Sequence, residues 1–218
     1  MQGPTLRYSH FRSNVFPQYS DLFHSLANGQ NPPICLITCA DSRIMPEMFL
    51  QSDPGEIFTI RNAGNLVPAW GEAHSGVAGS VEYAVAAVKV KHLVVCGHSG
   101  CGAIREVLEQ ANTETLPALT SWLRHAGPSP RWLAGMLRDT VGVSHEHKLH
   151  MLIEANVMMQ ISNLMTYPVV REAVQNGSLE LHGWVYDIPT GQLRALNQHA
   201  GAFEPIPHTH NELLLEIA

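Results

Sequence analysis

Three short apolar runs at residues 34–39, 57–61 and 92–97, separated by stretches long enough for helices, constrain this chain more than any other feature. Each is too short to be a helix. The first, Ile34-Cys35-Leu36-Ile37-Thr38-Cys39 after Pro32-Pro33, has the unbroken apolar character of a strand covered on both faces. Residues 75–90 between the second and third runs carry small and apolar side chains at helical spacing, and residues 101–110 restart as a helix after the third. Strand alternating with helix predicts a parallel sheet with helices on its faces, joined by right-handed crossovers.

Residues 6–26 form one or two helices interrupted by Pro17 and closed by Asn28-Gly29, which makes residues 1–28 a helical arm ahead of the core. Further helices are expected at 116–125, at 131–137 and along a long segment from about 144 to 175 that Asn176-Gly177 ends. Residues 179–186 and 192–196 flank Asp187-Ile188-Pro189-Thr190-Gly191, the pattern of a hairpin at a sheet edge. No pattern assigns an element after about Gln198. The expected fold is α/β: a mainly parallel central sheet with an antiparallel edge hairpin, flanked by helices and led by the N-terminal arm. With 218 residues, 45% of them hydrophobic, the chain can bury a sizeable core, and it reads as one domain over 1–218.

Thirteen basic and 19 acidic side chains give a net charge of -6 without a long single-sign block, which excludes an electrostatic footprint for nucleic acid and favours a small-molecule partner. No stretch has the apolar length of a membrane span, and the N-terminus lacks the apolar core of a secretory signal, so a cytoplasmic location is expected. In that reducing compartment Cys35, Cys39, Cys96 and Cys101 are thiols or metal ligands rather than a disulfide framework.

Two motifs carry the chemistry. Cys39-Ala40-Asp41-Ser42-Arg43 ends the first strand and His98-Ser99-Gly100-Cys101 ends the third. The crevice beyond the carboxyl ends of parallel strands is where ligands bind in open sheets. Two thiolates and one imidazole suit zinc in charge and softness, and three protein ligands leave a fourth position open for catalysis. The alternative is that Cys39 and Cys101 are small apolar residues at strand ends and His98 an ordinary loop histidine. Arg43 lies two residues from Asp41 and can orient its carboxylate through a planar fork. Asp41 then has two possible tasks, fourth metal ligand or hydrogen-bond acceptor for a zinc-bound water. Three other patterns do not match their motifs. The glycine-rich 97–102 stretch lacks the lysine of a phosphate cradle, residues 145–150 place Leu149 where H-E-x-x-H needs a histidine, and no G-x-S-x-G marks a serine nucleophile. His208 and His210 are an adventitious metal pair at most.

At these residues the chain resembles the beta class of carbonic anhydrases, similar to cyanate-associated bacterial and plant-type members. Cys39–Arg43 matches that class's C-x-D-S-R and His98–Cys101 its H-x-x-C. Residues 60–67, 80–85, 97–102 and 182–187 continue the likeness, which runs over roughly residues 15–196. The resemblance implies reversible hydration of carbon dioxide to bicarbonate and a proton through a zinc-bound hydroxide, with one zinc per subunit lowering the pKa of its water to about 7. It assigns Cys39, His98 and Cys101 to the metal and Asp41 and Arg43 to catalysis, with Asp41 a fourth ligand in a closed state. It assigns Gln30, Phe58, Ala63, Tyr83 and Gly102 to the substrate pocket.

Leu36 stands where closed-type members often carry a tryptophan that holds bicarbonate, and Gln30 matches the glutamine of open-type members, so the resemblance implies an open site. Ala63 is smaller than the valine often found there. His24 and His74 are candidates for moving the product proton. Family pockets draw residues from a second subunit, which implies a homodimer or higher homo-oligomer. Two alternatives stay open: a carbon disulfide or carbonyl sulfide hydrolase on the same fold, and a non-catalytic zinc-binding structural or regulatory protein.

Overall fold

The computed structural model describes residues 3–72, 75–110 and 115–207. His74, His208 and His210 lie outside them. The arm is helical from Pro4 to Leu26: α1 (Pro4–His10), a π-helical turn (Phe11–Val15), a 3-10 turn that includes Pro17 (Phe16–Tyr19) and α2 (Ser20–Leu26). Then follow β1 (Ile34–Cys39), a single helical turn α3 (Pro46–Phe49), β2 (Ile57–Asn62), α4 (Gly76–Glu82) extended by a π-helical turn to Val88, β3 (His92–His98) and α5 (Gly102–Glu109). The second half comprises α6 (Pro117–Trp122), α7 (Pro128–Asp139), α8 (His145–Leu164), α9 (Pro168–Gln175), β4 (Glu180–Tyr186), β5 (Leu193–Asn197) and β6 (Ala202–Pro205).

The sheet runs β2-β1-β3-β4-β5-β6, with the first four strands mutually parallel and the last two antiparallel. The chain leaves β1 for β2 on one side and returns to β3 on the other. The strand order therefore reverses between β1 and β3, and a crevice opens beyond their carboxyl ends. That is where Cys39 and His98, the last residues of the two strands, stand.

Alternation along β1 and β3 separates two apolar layers. Cys35, Ile37, Leu93 and Val95 face the larger core under α4, α5, α7 and α8, while Leu36, Val94 and Cys96 face a smaller cluster with Phe49, Leu50 and Trp184. Helix α8 buries Leu149, Leu152, Ile153, Asn156, Val157, Gln160, Asn163 and Leu164 at three- and four-residue spacing. Gly97 lets α8 lie this close to β3: a Cβ there would stand 2.9 Å from Val157 Cγ2 and 3.2 Å from Ile153 Cγ2.

The expected architecture holds, with three differences of detail. The long 144–175 segment is two helices, because Pro168 has no N–H to continue α8 and pushes Tyr167 into extended backbone. The hairpin strand β4 is not at the edge: it pairs with β3 on one side and β5 on the other, and β6 forms the edge. Finally β6 lies in the region where no element was assigned. It is four residues long and mostly exposed, so it carries no apolar alternation to read.

Candidate metal centre

Three separate elements supply the centre. Cys39 closes β1, His98 closes β3, and Cys101 is the N-cap of α5, all three side chains buried. The turn from His98 to Cys101 requires Gly100, whose φ of +64° is left-handed. Cys39 Sγ lies 3.9 Å from Cys101 Sγ and accepts the Gly64 N–H at 3.4 Å. The Cys101 sulfur receives the Ala103 and Ile104 amides at the start of α5. Thiolates held by amides at a helix N-terminus are stabilised there. The two thiols are coupled: donation of the Cys101 S–H pulls Cys39 below the usual thiol range, and the same bond, with burial, raises Cys101.

A direct test of whether these residues fit a metal comes from His98. Its Nδ1 lies 3.0 Å from the Ser99 carbonyl, which can only accept, so Nδ1 donates and Nε2 keeps the lone pair. That Nε2 is buried and has no hydrogen-bond partner. The three donor atoms lie within 4.8 Å of one another. Tetrahedral zinc with Zn–S bonds of about 2.3 Å would set its sulfurs about 3.8 Å apart, close to the 3.9 Å observed. An unpartnered buried nitrogen facing two thiols fits a cation, and the donor set fits zinc.

Arg43 grips Asp41 with both arms of its guanidinium, Nε to Oδ1 at 2.9 Å and Nη2 to Oδ2 at 2.7 Å, and its backbone N–H adds a third bond to Oδ1. This fork, through its side-chain bonds first, holds the Asp41 carboxyl well below the usual carboxylate range. Nη2 also donates to Gly100 O at 3.1 Å, which ties the loop after β1 to the loop after β3. Asp41 Oδ2 stands 3.9 Å from His98 Nε2. The carboxylate is therefore ionised, oriented and beside the metal donors, with both oxygens engaged by Arg43. By contrast Cys35 and Cys96, sealed in the core, are pushed up to about 12 by burial and take no part.

The centre rests on a scaffold of side chains without motif status. Arg61 donates to three carbonyls, Cys39 O at 3.0 Å, Asp41 O at 2.8 Å and Ile44 O at 3.0 Å, and so fixes the loop that carries Asp41. Asn62 closes the 62–66 turn through both its amide atoms on Leu66. From α8, Asn156 donates to Gly64 O, Gln160 accepts from Val67 N and Asn163 donates to Val67 O, while Trp122 Nε1 donates to Ala63 O. Sequence reasoning passed over this ladder. Its one signal was three amides at helical spacing among the apolar residues that α8 buries, which is weak without knowing what they face.

Of the expected pocket residues, Ala63 and Gly102 adjoin the centre, Ala63 one residue from the Gly64 amide on Cys39 and Gly102 directly after Cys101. Gln30, Phe58 and Tyr83 do not. Phe58 pairs with Cys35 and Asn62 with Cys39, so Phe58 lies four residues back along the sheet, roughly 13 Å from the metal end. There the Phe58 and Tyr83 rings are 6.0 Å apart, and Gln30 and Tyr83 line a shared hollow of about 560 Å³. His24 is exposed on α2, its Nδ1 2.7 Å from Ser20 O.

The family described as carbonic anhydrase matches residues 34–193. A carbonic anhydrase of Pseudomonas aeruginosa is 44% identical over 86% of this chain and 83% of its own length. One from Synechococcus elongatus is 42% identical over 87% of this chain and 69% of its own. Among solved structures, the beta-carbonic anhydrase CcaA superposes with a TM-score of 0.86 at 34% identity, covering 94% of this chain and 91% of that one. A beta-carbonic anhydrase of Sordaria macrospora, described as tetrameric, gives 0.76 at 32% identity over 89% and 98%.

Proposed function

From membership of the beta-class carbonic anhydrases, the family to which this chain belongs, we propose that it hydrates carbon dioxide reversibly to bicarbonate and a proton at the Cys39–His98–Cys101 centre. The observation that carries this reading is the convergence of three buried metal donors beside a carboxylate already oriented by an arginine. Cys39, His98 and Cys101 hold one zinc per subunit. When bound, zinc supplies Lewis acidity that brings the ionisation of water down to about pH 7.

The chain's own residues do the rest. Asp41, kept ionised by Arg43, is an acceptor at every working pH, and its Oδ2 takes a hydrogen bond from the nucleophilic water and turns its lone pair toward carbon dioxide. Arg43 holds the carboxylate in that task and away from direct ligation, an open site. Leu36 supports this, since it is fully buried against Val94 and Cys96 and offers no polar atom to an anion. We assign Ala63 and Gly102, which adjoin the centre, to the pocket for a small linear substrate.

We assign Gln30, Phe58 and Tyr83 to the pocket of a second copy, because each chain gathers them away from its own centre. The arm supports a homo-oligomer. Its helical segments from Pro4 to Leu26 bury no residue and expose Leu6, Tyr8, Phe11 and Tyr19. A cytoplasmic location accords with four cysteines that are all free thiols. Among the described residues no helix is long and apolar enough to cross a membrane. The relatives reported above are carbonic anhydrases by name, and no feature of the site favours the carbon disulfide, carbonyl sulfide or non-catalytic readings.

The test is stopped-flow carbon dioxide hydration with zinc content measured on the same sample. Zinc-dependent turnover is expected, and Asp41→Asn or Arg43→Ala should keep zinc while losing roughly 10–100-fold in rate. A zinc-replete protein without hydration would overturn the catalytic reading.

A further inference from the structure

The opposite end of the sheet carries a second convergence of donors that the proposed reaction does not use. His92 opens β3, and Glu180 and His182 lie on β4. His92 and Glu180 are register partners, and Glu180 and His182 are two residues apart, so all three side chains share one face of the sheet. His92 and His98 stand at opposite ends of the seven-residue strand β3, roughly 20 Å apart along the extended chain. The two clusters therefore cannot share a ligand.

The distances decide what the cluster is. His92 Nδ1 and His182 Nε2 share a hydrogen bond at 3.1 Å, which an ion would displace, and Glu180 Oε2 stands 3.6 Å from the first and 3.7 Å from the second. A histidine pair with an accessory carboxylate would close the carboxylate onto one N–H at about 2.8 Å. Instead the oxygen is nearly equidistant from both nitrogens and beyond hydrogen-bond length from each. Bonds of about 2.0–2.2 Å to nitrogen and oxygen give a coordination tetrahedron edges of about 3.3–3.6 Å. The observed separations of 3.1, 3.6 and 3.7 Å bracket those edges, so shifts of a few tenths of an ångström would bring the three atoms onto one face of such a tetrahedron.

We propose that His92, Glu180 and His182 form a second metal site, which takes Zn2+ or a similar divalent first-row transition cation and clips β3 to β4. Two imidazoles and one carboxylate suit such borderline ions, not calcium or magnesium, which take oxygen ligands. Both histidines spring from paired strands, so the donors are placed before the ion arrives. The side chains are partly exposed, at 42% for His92, 69% for Glu180 and 31% for His182, so an ion has an entry path and water can complete the shell.

This inference does not rest on the catalytic reading, because zinc is counted independently of hydration. The holoenzyme is equilibrated with micromolar zinc chloride, separated from free ion and assayed for metal per chain. Two zinc per chain are expected in the native protein. His92→Gln and His182→Gln should each bring the count to one and leave hydration unchanged, and Cys39→Ala should also reach one by losing the other ion. Glu180→Gln, at the most exposed of the three positions, should raise the zinc concentration needed for the second equivalent at least tenfold, with the fold undisturbed. One zinc per chain in the native protein, or two retained in both histidine variants, would overturn the proposal.

Discussion

At the residue scale the centre is a set of dependencies. Removing one of three donors leaves two, so Cys39→Ala, His98→Ala and Cys101→Ala should each lose zinc from this centre, as metal analysis after dialysis against a chelator would show. Stoichiometric zinc at the centre in all three would refute the ligand assignment. Asp41 carries a pH signature. Its carboxyl pKa is lowered in the folded state, chiefly by Arg43, so its contribution to stability is complete above the ordinary carboxyl range near pH 4 and is lost as pH falls toward the folded value. Arg43 is about half exposed, so solvent screens the pair and the effect is modest. Urea midpoints measured downward from pH 6 should fall less steeply in Asp41→Asn than in the native protein. Parallel curves would mean that the fork is not coupled to folding.

At the element scale, the position of α8 against β3 sets the floor of the crevice. A methyl group at Gly97 would press into Val157 and Ile153, which are themselves packed, so Gly97→Ala should destabilise by about 1–3 kcal/mol in urea unfolding. It should also weaken zinc binding, because His98 is the next residue and moves with the strand. Unchanged stability would place the slack in α8. The amide ladder has a separate cost. Asn156→Ala leaves the Gly64 carbonyl without its donor and Gln160 Nε2 with only its longer bond to His125 O at 3.4 Å, so a loss of about 1–3 kcal/mol is expected. The 62–66 turn rests on that bond, and Gly64 offers its N–H to Cys39, so lower zinc affinity should follow. A stability loss with native zinc affinity would show that the turn holds its place through Asn62 and Trp122 alone.

At the scale of the whole molecule, the arm and the displaced pocket residues point to the same requirement. Helices α1 and α2 are seven residues each, below the about 12 residues at which an isolated helix holds together in water. The arm exposes Leu6, Tyr8, Phe11 and Tyr19, and none of its helical segments buries a residue. A chain lacking residues 1–26 should therefore sediment as a monomer, retain zinc and lose most hydration, since its Gln30, Phe58 and Tyr83 would no longer reach a second centre. A truncated protein that remains dimeric and fully active would remove the arm from the interface.

Much of this was legible before any coordinates. Periodicity determined the alternation of strand and helix, because apolar runs of six and helical stripes bury area only in those conformations, and so it located the ends of β1 and β3 where the two motifs stand. Residue chemistry suggested a donor set, two cysteines and a histidine at two strand ends, and the resemblance to the beta-class carbonic anhydrases assigned it to a metal. The sequence alone did not determine what bears on those donors from a distance. Arg61 gathers three carbonyls only once β2 lies beside β1, and the amides of α8 have a purpose only once the helix crosses the 62–67 loop. Likewise His92, Glu180 and His182 are ordinary residues until parallel register brings β3 and β4 together. These are contacts between residues far apart in the chain, and local pattern carries no information about which distant surfaces meet. Hydrophobic periodicity decided the elements, and tertiary packing decided which polar atoms those elements brought together.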